Sequence, residues 1–221
     1  MEELLEKLAY CVEFGKINLA SPYPPDMRGQ EGADELTKKA LEMGVAPVDV
    51  LNKGLVIGMG KVGVKFRENK VFVPQVLMSA KAMSFGMAHL KTFFSDGSVV
   101  RKGKMVIGTV EGDLHDIGKN LVAMMVEGSG WEVIDLGTDV KAERFVETVK
   151  ANPGAVVGLS ALLTTTMVNM EKIVKAVKEA VPGTIVAIGG APVTQNFSDK
   201  IGADIYSADP QGIIDYLKGV N

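Results

Sequence analysis

The sequence predicts a chain in two parts, a helical bundle followed by a doubly wound, five-stranded parallel α/β sheet. Up to about residue 94, apolar residues recur at helical spacing between turns that contain proline and glycine. From Lys104 onward, short apolar runs alternate with amphipathic stretches, a pattern typical of a parallel sheet covered by helices. We therefore expect a helical domain at 1–94, a polar, glycine-bearing hinge at 95–103 and an α/β domain at 104–221.

The helical part opens with EELLEKLAYCVEFGKINLA, in which apolar residues are spaced for one face of a helix: Leu4, Leu5, Leu8, Val12 and Leu19. The segment SPYPPDMRGQ (Ser21–Gln30) carries three prolines and a glycine and is predicted to be a loop. Helical patterns resume at about 32–43, after Pro47, and from Pro74 through Leu90. Cys11, the only cysteine, is expected to be a small core residue.

Five runs in the second part are strand-like and too short for typical helices: MVIGTV, WEVIDLG, AVVGLS, TIVAIGG and ADIYSA. The stretches between and after them are amphipathic, which favours a Rossmann-like (flavodoxin-like) sheet. Ligands of such sheets bind beyond the carboxyl ends of the strands. The segments to inspect therefore follow each run: EGDLHDIG, GTD, SALLTTT, GGAP and SADP.

Composition argues against several classes of partner. A formal net charge of −3 without a basic run argues against nucleic acid as the main partner. No uninterrupted apolar stretch reaches the roughly 18 residues of a membrane span. The acidic, amphipathic start MEELLEKLAY resembles neither a secretory signal nor a transit peptide. The sequence therefore predicts a cytoplasmic protein that contacts neither nucleic acid nor membrane.

A histidine follows the first strand-like run, within EGDLHDIGKN at 111–120. This segment has neither the G-x-G-x-x-G dinucleotide pattern nor the G-K-[ST] end of a P-loop. His115 can instead present one ring nitrogen outward as a metal ligand while Asp113 accepts a hydrogen bond from the other. One histidine cannot hold a free zinc ion, but it can fill the axial position of a metal held by a macrocycle.

Simpler interpretations exist for the histidines and methionines taken singly. His115 could be a surface residue that caps the helix beginning near Ile117. His89 is expected to be a partly exposed structural residue late in its helix. The methionines of that helix are expected to belong to the core: Met78, Met83 and Met87.

Three motifs occur in order on successive sheet loops. The D-x-H-x-x-G pattern of residues 113–118 is followed by S-x-L at 160–162 and by Gly-Gly at 189–190. Together they resemble the B12-binding signature of cobalamin-dependent methionine synthase, B12-dependent mutases and the corrinoid proteins of anaerobic methyltransferase systems. The resemblance covers nearly the whole chain, because GLVIGMGKVGVKF and VFVPQVLMSAKAM look like the helical cap of the methyl-carrying members.

The resemblance implies a cobalamin cofactor, as methylcobalamin or cob(I)alamin, bound base-off with His115 as the lower cobalt ligand. Asp113 would hydrogen-bond this histidine, and Thr166 would extend the relay. Other cofactor-binding positions, most of them along the displaced nucleotide tail, are carried over as follows: Gly112, Asp116, Ile117, Gly118, Ser160, Leu162, Thr164, Gly189, Gly190 and Ala208. Taken singly, Gly189-Gly190 is also an ordinary strand-to-helix turn, and Ser160 a helix N-cap.

On the upper face of the cofactor, Phe66 and Val73 match family positions that cover the methyl group, although both could equally be core residues of the bundle. The resemblance implies a methyl carrier that is not catalytic alone. It would take a methyl group from a substrate-specific methyltransferase and hand it to an acceptor methyltransferase. A reductive-activation protein would be a third partner.

One segment departs from the family pattern, and two other functions stay open. The loop Ser21–Gln30 is longer than in most members and either alters partner docking or is a neutral surface loop. A B12-sensing regulatory module usually carries a DNA-binding module, for which this chain has no room. A B12-binding subunit of a mutase usually lacks the helical cap.

Overall fold

The structure is a computed structural model that describes residues 1–95 and 97–219, except for the side chain of Ser95. The described residues form two compact units. The first comprises Met1–Arg101 together with Gly128–Gly130, and the second comprises the other described residues. The hinge expected at 95–103 stays a prediction, and its Asp96 lies outside the described residues. The same holds for residues 220–221 at the end of the expected α/β domain.

The first unit is helical throughout its regular structure. Its helices are α1 (Glu2–Phe14), α2 (Ala33–Glu42), α3 (Pro47–Asp49), a π-helical segment (Val50–Val56), α4 (Ile57–Arg67) and α5 (Val73–Ser95). Leu8 and Val12 of α1, Leu55 of the π-helical segment and Leu90 of α5 are fully buried. Apolar residues at helical spacing thus form the core of this unit, as the sequence predicts.

Helix α1 ends earlier than the apolar spacing suggests. Gly15 adopts a left-handed conformation with φ 72° and caps the helix, and the Lys16 amide then donates to the Cys11 carbonyl at 2.8 Å. Leu19 consequently lies outside the helix and is 53% exposed. The inclusion of Leu19 in the apolar face was therefore wrong, because the spacing of apolar residues alone does not show that a glycine ends the helix.

The expected loop between α1 and α2 is present and contains one turn of 3₁₀-helix at Pro25–Met27. The Lys16 side chain is fully buried, and its ammonium donates to the Ser21 carbonyl at 2.8 Å. Met27 packs inward with 5% exposure. This loop is therefore tied to the helical unit by a buried cation and by an apolar anchor.

The second unit is a five-stranded parallel sheet with the strand order β2-β1-β3-β4-β5. The strands are β1 (Lys104–Thr109), β2 (Glu132–Asp135), β3 (Val156–Ser160), β4 (Val186–Gly189) and β5 (Ile205–Tyr206). The helices are α6 (Ile117–Gly128), α7 (Ala142–Ala151), α8 (Thr164–Ala180), α9 (Gln195–Ile201) and α10 (Pro210–Leu217). The expected flavodoxin-like order of strands and helices is confirmed.

The register of the sheet brings three strand ends into one row. Thr109 of β1 pairs with Ser160 of β3, which in turn pairs with Gly189 of β4. The strand order changes direction between β1 and β3, the point at which open parallel sheets bind their ligands. Buried side chains such as Phe145 of α7 and Ile173 of α8 cover the sheet and fix this edge in place.

No helix in the part of the chain that the structure describes is long and apolar enough to cross a membrane.

Candidate functional site

His115 stands in the loop between β1 and α6, beyond the carboxyl end of β1. The Thr109 hydroxyl, at the end of that strand, donates to the His115 carbonyl at 2.9 Å. This bond holds the backbone of the histidine against the sheet. The side chain of His115 is 53% exposed. The loop therefore presents an imidazole outward from a fixed backbone.

Asp113 is fully buried beside this imidazole and accepts hydrogen bonds at both carboxylate oxygens. Oδ1 lies 2.8 Å from His115 Nδ1 and 3.0 Å from the His115 amide nitrogen. Oδ2 accepts from the Thr166 hydroxyl at 2.7 Å and from the amides of Leu162 and Leu163 at 2.8 and 3.3 Å. The expected Asp113–His115 bond and its extension to Thr166 are both present.

The surroundings of Asp113 fix its charge and the tautomer of His115. Burial on its own raises the pKa of the carboxyl group, but the hydrogen bonds that it accepts from Thr166, Leu162 and His115 together hold its pKa well below the usual range. An ionised carboxylate can only accept hydrogen bonds, so the hydrogen of the imidazole lies on Nδ1. The other ring nitrogen, Nε2, then offers a lone pair, which is the form of histidine that binds a metal.

The residues around His115 suit a flat, largely apolar ligand such as a corrin ring. Leu114 and Ile117, on either side of the histidine, are 73% and 71% exposed, and Leu162 and Leu163 are 44% and 42% exposed. Within residues 1–95 and 97–219, His115 Nε2 has no hydrogen-bond partner. These four exposed side chains form what we call the apolar rim, and exposed apolar residues of this kind are typical of a binding surface.

Asp116 and Gly118 lie at the start of α6. Asp116 precedes the first turn of α6, where its carboxylate accepts from the Asn120 side chain at 2.9 Å and its carbonyl accepts from the Asn120 backbone amide at 2.7 Å. A Cβ added to Gly118 would meet no atom within 4 Å. Internal packing therefore does not require a glycine at 118, and the open space beside it fits the close approach of a ligand.

The residues expected on β3 and α8 lie where the sequence places them. Ser160 is the last residue of β3, Thr164 is the first residue of α8, and the buried Thr166 follows within the same turn. Leu162 lies between the strand and the helix, with its amide bound to Asp113. The structure thus brings these four residues and the His115 loop to the same edge of the sheet.

The two glycines at the end of β4 are explained by packing within the protein. Gly190 has φ 133°, and a Cβ there would overlap the Ala161 carbonyl oxygen. A Cβ at Gly189 would lie 3.0 Å from the Ser207 carbonyl oxygen. Packing of the loops that follow β3, β4 and β5 therefore demands small residues here. Ala208, exposed in the loop after β5, makes no comparable demand.

Phe66 and Val73 belong to the helical unit, at the end of α4 and the start of α5, and both are half-buried. Their expected role on the upper face of the cofactor stays a prediction. His89 is partly exposed, and its Nε2 lies 2.6 Å from Asp34 Oδ1, in agreement with a structural role. Cys11 is buried as expected, with 3% exposure.

Two residues that sequence reasoning missed also anchor the His115 loop. The Thr109 hydroxyl donates to the His115 carbonyl, and the side-chain amide of Asn169 donates from Nδ2 to the Glu111 carbonyl at 2.8 Å. Asn169 lies almost one turn after Thr166 on α8, so helical spacing from Thr166 is the signal that could have found it. Thr109 could have been found as the last residue of β1.

Comparison with known proteins places the chain among cobalamin-binding proteins. It matches the B12 binding domain over residues 103–212 and a second B12 binding domain family over residues 29–91. It is 42% identical to trimethylamine corrinoid protein 1 of Methanosarcina acetivorans over 195 residues, which cover 86% of this chain and 90% of that protein. It is also 46% identical to dimethylamine corrinoid protein 1 of the same organism, over 73% of this chain and 77% of that protein.

Two solved structures are similar over nearly the whole chain. One is the methanol:cobalamin methyltransferase complex MtaBC of Methanosarcina barkeri, with 30% identity, a TM-score of 0.80 and coverage of 98% of this chain and 80% of that chain. The other is a cobalamin-binding protein from Desulfitobacterium hafniense DCB-2, with 29% identity, a TM-score of 0.76 and coverage of 98% of each chain. The fold and the sequence therefore agree on the family.

Proposed function

The chain belongs to the corrinoid proteins that carry B12 binding domains, and from that premise we propose that it is a methyl carrier whose cobalt is held from below by His115. The observation that carries this proposal is the Asp113–His115 pair. An ionised, buried carboxylate holds the hydrogen of His115 on Nδ1 and leaves Nε2 open at the exposed edge of the sheet. The pair is therefore organised before any ligand arrives.

The buried side of the pair maintains its geometry. Thr166 and the amides of Leu162 and Leu163 occupy the second oxygen of Asp113. The carboxylate consequently cannot rotate away from His115 without leaving several donors unpaired in the interior. This restraint keeps the imidazole directed outward and stabilises positive charge that develops on the ring when Nε2 binds a metal.

The apolar rim would contact the corrin ring, and the glycine at 118 would admit the nucleotide tail close to the backbone. Hydroxyl groups at Ser160 and Thr164 suit the polar edges of that tail. When bound, the corrinoid supplies the organometallic chemistry of accepting and releasing a methyl group, while the protein contributes ligation, orientation and shielding.

The partners follow from the same proposal. The relatives are named as corrinoid proteins of trimethylamine and dimethylamine, and a similar structure is a complex with a methanol methyltransferase. We infer that this chain docks with a substrate-specific methyltransferase and with an acceptor methyltransferase, and that a reductive-activation protein returns it to the active oxidation state. A cytoplasmic location is part of this inference.

The test is an absorption spectrum of the protein reconstituted with hydroxocobalamin. We expect the wild type to show base-off, His-on bands and the His115→Ala variant to lack them, because only His115 offers an open nitrogen at this edge within the described residues. The His89→Ala variant is the matched control, since His89 is the only other histidine and pairs with Asp34 in the helical unit. Unchanged His-on bands in His115→Ala would reject the assignment.

A further inference from the structure

A loop from the far side of β1 also reaches the segment that carries His115. Residues 136–140, between β2 and α7, continue alongside the end of β1. The Leu136 amide donates to the Ile107 carbonyl at 2.8 Å, and the Thr109 amide donates to the Gly137 carbonyl at 2.9 Å. The Val140 amide then donates to the Thr109 carbonyl at 3.0 Å. This loop therefore lies alongside β1 as far as Thr109, the residue after which the His115 loop begins.

Asp139 lies within this loop and is bonded twice to the peptide that precedes His115. Its carboxylate accepts from the Gly112 amide at 2.7 Å, and its own amide donates to the Asp113 carbonyl at 3.0 Å. The two bonds form a reciprocal clasp around residues 112–113, with one donor and one acceptor contributed by each loop. The bond to a carboxylate is the stronger kind, because the acceptor is charged.

The backbone of Asp139 indicates that the clasp is specific. Its φ is 55°, in the left-handed region that residues other than glycine, asparagine and aspartate seldom adopt. Gly112 also has a positive φ, 84°. Both loops therefore place a residue type that tolerates a positive φ at the point where they bond to one another.

We propose that Asp139 is a positioning residue for the cobalt ligand. The Asp113 side chain is fastened from one side by Thr166 and the amides at the start of α8. Asp139 lies in the loop after β2, and its amide hydrogen-bonds the Asp113 carbonyl from the opposite side. Without it, the peptide from Gly112 to Asp113 would be held from one side only, and the imidazole two residues later would lose its fixed direction. This inference rests on the proposed function, because it assigns a role in His115 ligation.

Two substitutions separate the carboxylate from the backbone conformation. Asp139→Gly accommodates the left-handed φ but removes the acceptor for the Gly112 amide. Asp139→Asn tolerates the same φ and keeps an acceptor oxygen at the same distance along the side chain. A merely structural role would lower thermal stability without changing the spectrum of the bound cofactor.

The readouts are hydroxocobalamin affinity, the fraction of bound cofactor with His-on bands, and the melting temperature of the cofactor-free protein. For Asp139→Gly we expect an affinity about tenfold weaker and a reduced His-on fraction, with a lower melting temperature because a charge-assisted bond is lost and a glycine is introduced. For Asp139→Asn we expect affinity and spectrum within about twofold of the wild type. Wild-type affinity and a full His-on fraction in Asp139→Gly would overturn the inference while leaving the proposed function intact. A wild type without His-on bands would remove both.

Amide hydrogen exchange of the wild type tests the clasp even if Asp139→Gly does not fold. Gly112 is exposed, so its amide exchanges slowly only if the bond to Asp139 persists. We expect slow exchange at Gly112 in the cofactor-free protein and still slower exchange after hydroxocobalamin binds. Exchange at the rate of an open loop, or exchange that the cofactor does not affect, would overturn the inference.

Discussion

Asp113 combines full burial with a negative charge, which is stable only because donors surround it. Its Oδ1 faces the ring and the amide of His115, and its Oδ2 faces a hydroxyl and two amides at the start of α8. A buried carboxylate without such partners would instead take up a proton. The same contacts that keep Asp113 ionised therefore also direct His115.

Replacing this carboxylate with an amide tests both roles. In Asp113→Asn, an NH₂ group replaces one of the two carboxylate oxygens. This group is itself a donor, so it cannot accept the hydrogen bonds that the oxygen accepted. We expect the cofactor-free protein to lose about 2 kcal/mol of unfolding free energy, measured by urea denaturation. We expect hydroxocobalamin affinity to fall by about tenfold to a hundredfold, as measured by titration.

Asp199→Asn is the control for this substitution, because the Asp199 carboxylate lies on α9 and accepts from the exposed side chain of Gln195, one turn earlier in the same helix. Its stability and affinity should stay near the wild-type values. An Asp113→Asn variant that bound hydroxocobalamin as tightly as the control would contradict the role of the carboxylate.

Burial in the helical unit lowers the reactivity of the Cys11 thiol. Burial raises the pKa of its thiol to about 11, so the protonated form is favoured in the folded state. At pH 8 we expect native protein to react with iodoacetamide about a hundredfold more slowly than protein unfolded in guanidinium chloride. Mass spectrometry of the alkylated product measures the difference. Equal rates would show that Cys11 is not part of the packed core.

Among the secondary-structure elements, the turn from β1 into α6 contributes most residues of the candidate site. The glycines of the site differ in what they do there. Gly190 is required by the fold, because a Cβ would overlap the Ala161 carbonyl, whereas Gly118 has open space beside it. The role of Gly118 in cofactor binding stays a prediction, which an alanine at this position tests.

Gly118→Ala should therefore separate stability from cofactor binding. Alanine favours the helix over glycine, so we expect the cofactor-free protein to gain up to about 1 kcal/mol of unfolding free energy. Hydroxocobalamin affinity should fall, because the methyl group occupies space expected for the nucleotide tail. Thermal unfolding and titration of the same sample measure the two effects. A Gly118→Ala variant that is more stable than the wild type and binds hydroxocobalamin equally tightly would show that the nucleotide tail does not approach Gly118.

Among the elements, the sequence predicted identity and order better than length. Leu19 follows the apolar spacing of α1, but Gly15 stops the helix before it. The last strand was expected over ADIYSA, whereas β5 comprises only Ile205–Tyr206, since its pairing partner β4 meets it at two positions. Both differences arise from backbone conformation and strand pairing, which the periodicity of a single segment does not contain.

At the scale of the whole molecule, the order of motifs along the chain was sufficient to locate the site. In a parallel sheet every carboxyl end lies at one edge, so the loops after β1, β3 and β4 had to converge. The register that pairs Thr109, Ser160 and Gly189 bears this out. Asp113 and His115 were predictable because they are near in sequence and chemically specific.

The anchors from other elements were less accessible to sequence reasoning. Asn169 and Asp139 reach the His115 loop only through the packing of α8 and the loop after β2. Asp139 belongs to the GTD segment that follows a predicted strand, but no contact partner could be assigned to it, and each contact spans a sequence separation of more than 25 residues. Such contacts depend on tertiary geometry, so they required the structure.

Nitrogen isotope labelling distinguishes His115 from the cofactor's own base as the lower ligand of cobalt. Cob(II)alamin of natural isotope composition is bound to protein labelled with ¹⁵N only in histidine, and its electron paramagnetic resonance spectrum is recorded. We predict that the superhyperfine splitting is a doublet, as a ¹⁵N ligand from the protein requires, and that it is lost in His115→Ala but kept in His89→Ala. A triplet in the labelled wild-type protein would show that the cofactor's own ¹⁴N base remains bound, and it would rule out His115 as the lower ligand.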